Sequence, residues 1–467
     1  MKWNFSVLII MISTAVIFGQ GNYNQENFGN RSLLLSGNVT GSVDDLGLTY
    51  YNPARISLVE NPVFSINAKG YQLGFFNIQN AFGNDQKLSD NKFEGVPSMV
   101  AGTFKIKKLE NHHFAYSFLS KQRSQVEIGY SKELLINDKI GEIDGIENIV
   151  QDVDIKKKET DEWFGVTWGK EIKNNFSVGV SGFVSIYNYK GSSDLKYAIL
   201  DDFQDVTLYN NEVSFGQRSY GMFWKIGLAW KLPKFELGLN FDLPYWEVFS
   251  SGRFKYQEQL SGLGNGNDIF TYGKFNDIKA TRKEAMAISF GAGIPFGENN
   301  TIHLKVDWHN KINEYDRLVI PVIDGGTEES RSFIFKEELN AVINFGLGVE
   351  FYLNPKYSLF ASFVTDFSPV ETNANIFDLT SKESEDINLN TGYFHLGFGV
   401  DMKLNWAKLI LGTTFSTGSS EFNQAIDVPN PNININRNDD NTKITISRWR
   451  FIVGLEIPIF NYKLEIK

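Results

Sequence analysis

The stretch Asn344-Phe345-Gly346-Leu347-Gly348-Val349-Glu350-Phe351 decides the fold. Phe345, Leu347, Val349 and Phe351 fall on one side of an extended chain, and Asn344, Gly346, Gly348 and Glu350 on the other, because successive side chains of a strand point to opposite faces. The alternation returns at Leu237–Leu243, Ile302–His309, His395–Met402 and Val453–Ile459. Each time one face is greasy and the other polar or small. From about Pro62 onward the chain reads as such strands, with almost no helical periodicity.

Alternation suits two architectures. In a soluble sandwich the apolar face points inward; in a membrane barrel it meets lipid, and the polar and glycine face lines the lumen. The connections separate the two. Fourteen strands are expected, beginning near residues 62, 97, 112, 162, 174, 218, 234, 283, 299, 338, 356, 391, 407 and 446. Six connections are tight: Lys107–Asn111, Ile172–Asn174, Leu232–Lys234, Gly297–Asn300, Asn354–Lys356 and Leu404–Trp406. Seven are long and polar, centred near Asp85, Ile146, Phe203, Gly262, Gly325, Lys382 and Asn432. Short and long alternate along the chain, as in outer-membrane barrels with short periplasmic turns and long external loops. Trp168 and Trp230 lie on the greasy face just before short turns and Trp449 just after a long loop, where interfacial aromatic girdles belong. The expected fold is all-β: a transmembrane antiparallel up-and-down β-barrel.

The N-terminus agrees. Met1 and Lys2 precede an apolar run from Val7 to Phe18, then small Gly19 and a polar stretch. Residues 1–19 read as a secretory signal peptide cleaved before Gln20. The run is shorter than the ~20 residues a spanning helix needs, and no later run is long enough either. The chain is therefore expected in the outer membrane of a Gram-negative bacterium. Its composition excludes other classes. Of 467 residues, 45 are Lys or Arg and 55 Asp or Glu, a net charge of −10 with no basic stripe, which argues against nucleic-acid binding. The absence of cysteine removes thiol catalysis, thiolate metal sites, disulfides and a lipidated lipoprotein start.

Residues 20–61 contain no good strand but hold the clusters Leu33–Leu35 and Leu46–Tyr51. A barrel this wide leaves an open channel unless something fills it, so this segment is expected to be a hatch inside a barrel formed by residues 62–467. It carries Gly47-Leu48-Thr49-Tyr50-Tyr51-Asn52-Pro53-Ala54-Arg55-Ile56. Asn52, Pro53 and Ala54 resemble the Asn-Pro-Ala signature in the N-terminal hatch of FadL/TodX-type outer-membrane transporters. The resemblance extends to the whole plan of signal, hatch and fourteen strands. It implies uptake of hydrophobic compounds, most simply long-chain fatty acids, with possible lateral release into the membrane. The alternative is a non-transporting barrel, since accessory proteins of the type IX secretion system use the same barrel type to dock protein partners. Asn before Pro favours a turn, and Pro fits the first position of a helix, so the motif is expected to start a short helix with an architectural role. The chain departs from the family in ending Glu465-Ile466-Lys467 rather than on an aromatic residue; Phe460 and Tyr462 are the nearest substitutes. Arg55 and the charged loops are further departures.

A fatty acid needs a greasy groove and a cation at one end. By parity Lys225 and Lys305 face inward at mid-height, with Phe223 as an apolar neighbour. Either lysine is a candidate for a carboxylate head group; the alternative is that Lys305 pairs with an acid such as Asp307, Asp242 or Glu350. For lateral release, parity puts Ser120, Gln122 and Ser124 on the lipid-facing line of the third strand, after Phe114, Tyr116 and Phe118. Three polar residues in that line mark either an opening or the point where the strand leaves the bilayer. Expected partners are then membrane lipid and hydrophobic small molecules, with the long loops as a candidate surface for a protein. No cofactor or metal is expected: His112, His113, His303, His309 and His395 have no ligand spacing beyond an i, i+6 pair ~20 Å apart. No Gly-x-Ser-x-Gly element or phosphate loop is present, so the chain is not read as an enzyme.

Overall fold

The computed structural model describes residues 22–59, 63–79, 88–106, 108, 109, 111–134, 138–140, 143–173, 175–262, 268–325, 330–369, 391–422 and 442–458. The signal segment, the Asn-rich stretch 429–441, Phe460 and Tyr462 lie outside the described residues.

The chain forms a closed, all-antiparallel barrel of fourteen strands. The wall begins with β1 (Val63–Gln79), β2 (Leu88–Phe104) and β3 (His113–Leu134). After the short β4 (Asp138–Ile140) come three long strands, β5 (Ile143–Lys173), β6 (Phe176–Asp201) and β7 (Val206–Lys231). The seventh wall strand is broken into β8 (Glu236–Asp242) and β9 (Trp246–Ser261), and the eighth into β10 (Ile269–Lys279) and β11 (Ala287–Phe296). Next is β12 (Asn300–His309). A separate hairpin follows, β13 (Ile312–Val319) with β14 (Ile334–Leu339). The wall ends with β15 (Val342–Asn354), β16 (Tyr357–Asp366), β17 (Gly392–Lys403), β18 (Lys408–Phe422) and β19 (Thr442–Pro458). β1 pairs with both β2 and β19, closing the ring. The fourteen expected strands are all present, and among the described residues no helix is long and apolar enough to cross a membrane.

The outer face follows the alternation. On β7, Trp230, Leu228, Ile226, Trp224, Met222 and Tyr220 share the outward parity, with Trp230 50% and Trp224 41% exposed. Eleven residues of tilted strand make a band roughly 25 Å tall, the thickness of a bilayer's apolar core. Exposed apolar side chains are ordinary here because their solvent is lipid.

Two expectations about connections change. The long polar segments centred near Ile146 and Phe203 are strand for most of their length, since β5 has 31 residues and β6 and β7 have 26 each. The backbone ladder simply continues above the apolar band, where outward positions become polar. The segment centred near Gly325 folds into the β13–β14 hairpin instead of hanging free. Its Leu318, Phe333 and Phe335, with Ile320 and Ile323, join a core with inward Tyr187, Tyr189, Phe215, Phe254 and Tyr256 from the extended strands.

Residues 22–59 contribute the other main core. Phe28, Leu33, Leu34, Leu35, Leu46 and Leu48 pack with Met99, Leu119, Trp163 and Phe183 of the wall. Small inward residues on the strands make that contact close. A Cβ on Gly346 would stand 1.6 Å from Asn38 Oδ1, and one on Gly238 would stand 1.8 Å from the Thr40 carbonyl oxygen. These positions are glycine because the N-terminal segment lies directly against them, through the Asn38 amide at Gly346 and the Thr40 backbone at Gly238. Gly238→Val is accordingly expected to leave a heat-modifiable barrel but to expose residues 22–59 to protease, read as new cleavage products from detergent-solubilised protein.

Candidate functional site

The Asn-Pro-Ala motif is tied into the wall. Asn52 caps a 3-10 helix, Pro53–Leu58: its Oδ1 accepts from the Ala54 N–H at 3.1 Å, with Pro53 in the first helical position. The Nδ2 group donates to Thr40 O at 2.7 Å and to Leu228 O of β7 at 3.0 Å. Arg55, 2% exposed, donates from Nε to Val43 O and from Nη1 to Gly41 O, each at 2.9 Å, and its Nη2 lies 2.5 Å from Glu236 Oε2 on β8. Asp45 accepts from the N–H groups of Asn30, Ser32 and Gly47 and from the Ser32 hydroxyl; burial pushes its carboxyl up to about 6 against those donors. Further out, Arg31 bridges Asp44 and Glu350, and Arg450 of β19 meets Glu26 at 2.5 Å.

Lys225 and Lys305 do face inward, and each has an acid. Lys225 Nζ is 2.6 Å from Asp242 Oδ2, and Lys305 Nζ is 2.6 Å from Asp307 Oδ2 and 3.1 Å from Asn24 Oδ1. For Lys305 the pairing alternative is what the structure shows. Lys225 also sits over the Tyr50 ring, 4.0 Å from its centroid. Phe223 is buried and stacked on Trp163 with centroids 4.0 Å apart, and Tyr245 lies 4.7 Å beyond it. Tyr50 reaches the same group at 5.9 Å from Trp163. Lys225 and Phe223 therefore belong to one aromatic wall, and Lys305 to the anchoring of the N-terminal segment.

The third strand corrects the sequence reading. β3 pairs with β5 as far as Ser120 opposite Glu162, skips Lys121, and resumes with Gln122 opposite Asp161. That β-bulge inverts the parity. Ser120 remains on the outer line and donates to Glu162 Oε1 at 3.2 Å, but Gln122 and Ser124 stand in register with Asp161 and Glu159 of the inner face. The expected lipid-facing polar line ends after its first residue. At the same height the ladder between β2 and β3 stops: they pair from Phe104–Phe114 to Met99–Leu119, and among the described residues no pair joins them further out. Yet β2 continues beside β1 to Leu88, and β3 beside β5 to Leu134. The wall therefore has a side gap, next to the bulge rather than in the polar line.

Lys121, the bulged residue, escaped sequence reasoning because a one-residue insertion leaves no signal in the alternation. Its Nζ reaches Tyr23 O at 3.3 Å and lies 5.5 Å from the Tyr50 centroid. It has no carboxylate within ion-pair range among the described residues. Trp163 Nε1 and Tyr245 OH are buried without a hydrogen-bond partner among those residues, although such groups ordinarily have one. Above them lies a charged layer. Arg282 meets Asp161 at 2.8 Å and Glu284 at 2.6 Å, while Arg317 donates to Tyr187 OH at 2.9 Å and to Gln217 Oε1 at 2.8 Å. A Ser416–His395–Asp366 trio, with 2.6 and 3.3 Å contacts, is buried, and Asp366 also accepts from the Asn24 N–H. This network anchors the N-terminal segment.

No protein-family model and no curated protein matches the chain. Solved structures do. The toluene transporter TodX of P. putida aligns over 94% of this chain and 100% of its own, at 11% identity and TM-score 0.60. The toluene transporter TbuX of Ralstonia pickettii aligns over the same shares at 13% identity and TM-score 0.54. A Pseudomonas aeruginosa FadL homologue does so at 10% and 0.54. The fold is thus of the FadL/TodX type expected from the sequence.

Arg55→Met should leave the buried Val43 and Gly41 carbonyls without their donor and Glu236 with only its 3.9 Å contact to Lys231. An expected cost of about 3–5 kcal/mol would be read as loss of hydrogen-exchange protection over residues 41–58.

Proposed function

We propose that this protein is an outer-membrane channel that takes up hydrophobic compounds, with long-chain fatty acids as cargo. Residues 20–61 act as a hatch, and the cargo leaves sideways between β2 and β3. One observation carries the reading: an aromatic wall, an inward ammonium ion with no acid in ion-pair range among the described residues, and a break in the strand ladder occur together at one level of the barrel.

The chemistry is that of an amphiphile. Trp163, Phe223 and Tyr245 offer apolar faces to a chain, while Lys121 and Lys225 flank Tyr50 and offer charge to a carboxylate. Lys225 is already compensated by Asp242, so Lys121 supplies the uncancelled charge. Trp163 Nε1 and Tyr245 OH can donate to the same head group. A cargo in the gap between β2 and β3 would leave water and enter lipid in one step, which is how a hydrophobic molecule lowers its free energy. The transport named for TodX and TbuX supports the cargo class, and the shared barrel supports the outer-membrane location.

A second reading is a barrel that docks a protein partner. It is favoured by the β13–β14 hairpin, whose packing against five inward aromatic rings occupies the end of the barrel formed by the long strands.

The test uses detergent-purified, delipidated mature protein and follows Trp fluorescence, since Trp163 belongs to the proposed site. Oleate is expected to saturate at micromolar concentration. Lys121→Gln should weaken oleate about tenfold, about 1.4 kcal/mol, while leaving methyl oleate unchanged. No oleate binding by a folded barrel would retire the transporter reading in favour of partner docking. An equal loss for acid and ester would remove Lys121 from the site.

A further inference from the structure

The outward face of the long strands carries a ladder of cations just above the apolar band. Its lower row runs Lys158–Lys190–Gly216–Arg253 across β5, β6, β7 and β9. The next row runs Lys156–Ser192–Ser214–Lys255–Lys274 and reaches β10. These positions share the outward parity of Phe164, Val184 and Trp224, which are 50%, 44% and 41% exposed. Together the two rows line a cleft of about 550 Å³. The two serines keep its floor low, and the Arg253 side chain lies over Gly216, where a Cβ would meet its Nε at 2.7 Å.

Among the described residues the charges of the ladder do not fully cancel. The row above is acidic, Asp154–Asp194–Glu212, and it neutralises part of the second row. Lys156 Nζ lies 2.6 Å from Asp154 and 3.5 Å from Glu127, and Lys255 Nζ lies 2.5 Å from Glu212. Lys157 faces inward over Tyr189. Lys158, Lys190, Arg253 and Lys274 make no ion pair among the described residues. Lys158 stands directly opposite Lys190, and Lys255 opposite Lys274; like charges so placed are destabilising without a counter-ion between them.

Height identifies the occupant. The row Ile186–Tyr220–Phe249 is the last apolar one, and Arg218, one row up, donates to Asn188 at 2.9 Å. Four residues separate Tyr220 from Gly216, which on a tilted strand is roughly 10 Å above the hydrocarbon edge. That is head-group depth. A molecule held there has its acyl chains beside Trp224 and Val184 and its anionic groups among the lysines. We propose that this ladder binds the phosphorylated head group of a lipid in the external leaflet, with Lys158, Lys190, Arg253 and Lys274 as the phosphate contacts. This site lies on the outer surface and is independent of the cargo inside.

The experiment is native mass spectrometry of the full-length mature barrel in detergent, with diphosphoryl lipid A as the probe. Dephosphorylated lipid A and inorganic pyrophosphate serve as comparisons. Wild-type protein is expected to retain the diphosphoryl form at least tenfold more than the dephosphorylated one, with that preference falling in high salt. The combined variant Lys158→Gln, Lys190→Gln, Arg253→Gln, Lys274→Gln should keep its heat-modifiable mobility and lose the preference. Should the variant fail to fold, the wild-type comparison decides. Equal retention of both lipids by wild type, or an undiminished preference in the folded variant, overturns the proposal. Displacement of lipid by micromolar pyrophosphate also overturns it, because the site would then be a soluble-phosphate site.

Discussion

In hydrocarbon no water replaces a missing strand partner, so each backbone N–H and C=O in the wall must find its bond in the adjacent strand. A barrel meets that demand by closing, and β1 with β19 completes the ring. The other features of the molecule are conditioned by this demand. Strand parity is locked because one face must be apolar for lipid, and a one-residue slip would turn every polar side chain outward. Departures from the ladder are therefore informative. One is the bulge at Lys121 with the end of β2–β3 pairing beside it. Another is the break of two adjacent strands at Leu243–Tyr245 and Ala280–Met286, where Arg282 turns inward to Asp161.

Closure creates a second demand, because a ring of fourteen strands encloses more space than its own side chains fill. Two different kinds of material pack against the inner face of the wall. Toward the short turns, the N-terminal segment lies against glycines and serines, with Asn52 and Arg55 satisfying carbonyls that would otherwise be buried without donors. Toward the long strands, the β13–β14 hairpin brings aromatic side chains against aromatic side chains, as in the 4.8 Å stack of Phe335 on Phe215. Backbone against glycine fixes position through hydrogen bonds; ring against ring fills volume with little directional constraint. The first suits a segment that must be held in register, the second a cap.

Strand positions were legible in the sequence because lipid imposes period two on every spanning segment, and segments such as Phe345–Phe351 carry it undisturbed. The Asn-Pro-Ala helix start was legible because Asn and Pro act locally, within three residues. The bulge was not, since Lys121 inserts between two individually regular stretches and only the partner strand records the shift. The upper halves of β5, β6 and β7 were not, because above the bilayer the outward positions are Lys, Asn and Ser, which read as loop when the inward Tyr and Leu are not weighed against a core. That core was itself hidden: Leu318, Phe333 and Phe335 meet Tyr189 and Phe254 only through folding, more than 60 residues away in sequence. Lys305 illustrates a further limit. Parity shows which way a lysine points and names Asp307, Asp242 and Glu350 as acids that could pair with Lys305, but not which of them does; it is Asp307.

Under the proposed transport function, these two packed regions constrain any path through the barrel. Between them lies the layer of Arg282, Asp161, Glu284, Arg317 and Gln217, bound by ion pairs and hydrogen bonds of 2.6–2.8 Å. An apolar molecule moving along the axis would have to separate those charges without offering replacements, and a broken buried ion pair costs several kcal/mol. A route through the side gap below that layer breaks none of them. It passes Trp163, Phe223 and Tyr50 and reaches the membrane where β2 and β3 have already parted. The electrostatic cost of the axial route and the missing pairs of the lateral one thus favour the same direction, from aromatic wall to lipid. Under the proposed function, that agreement makes the bulge at Lys121, rather than the polar line of Ser120, the feature that organises passage.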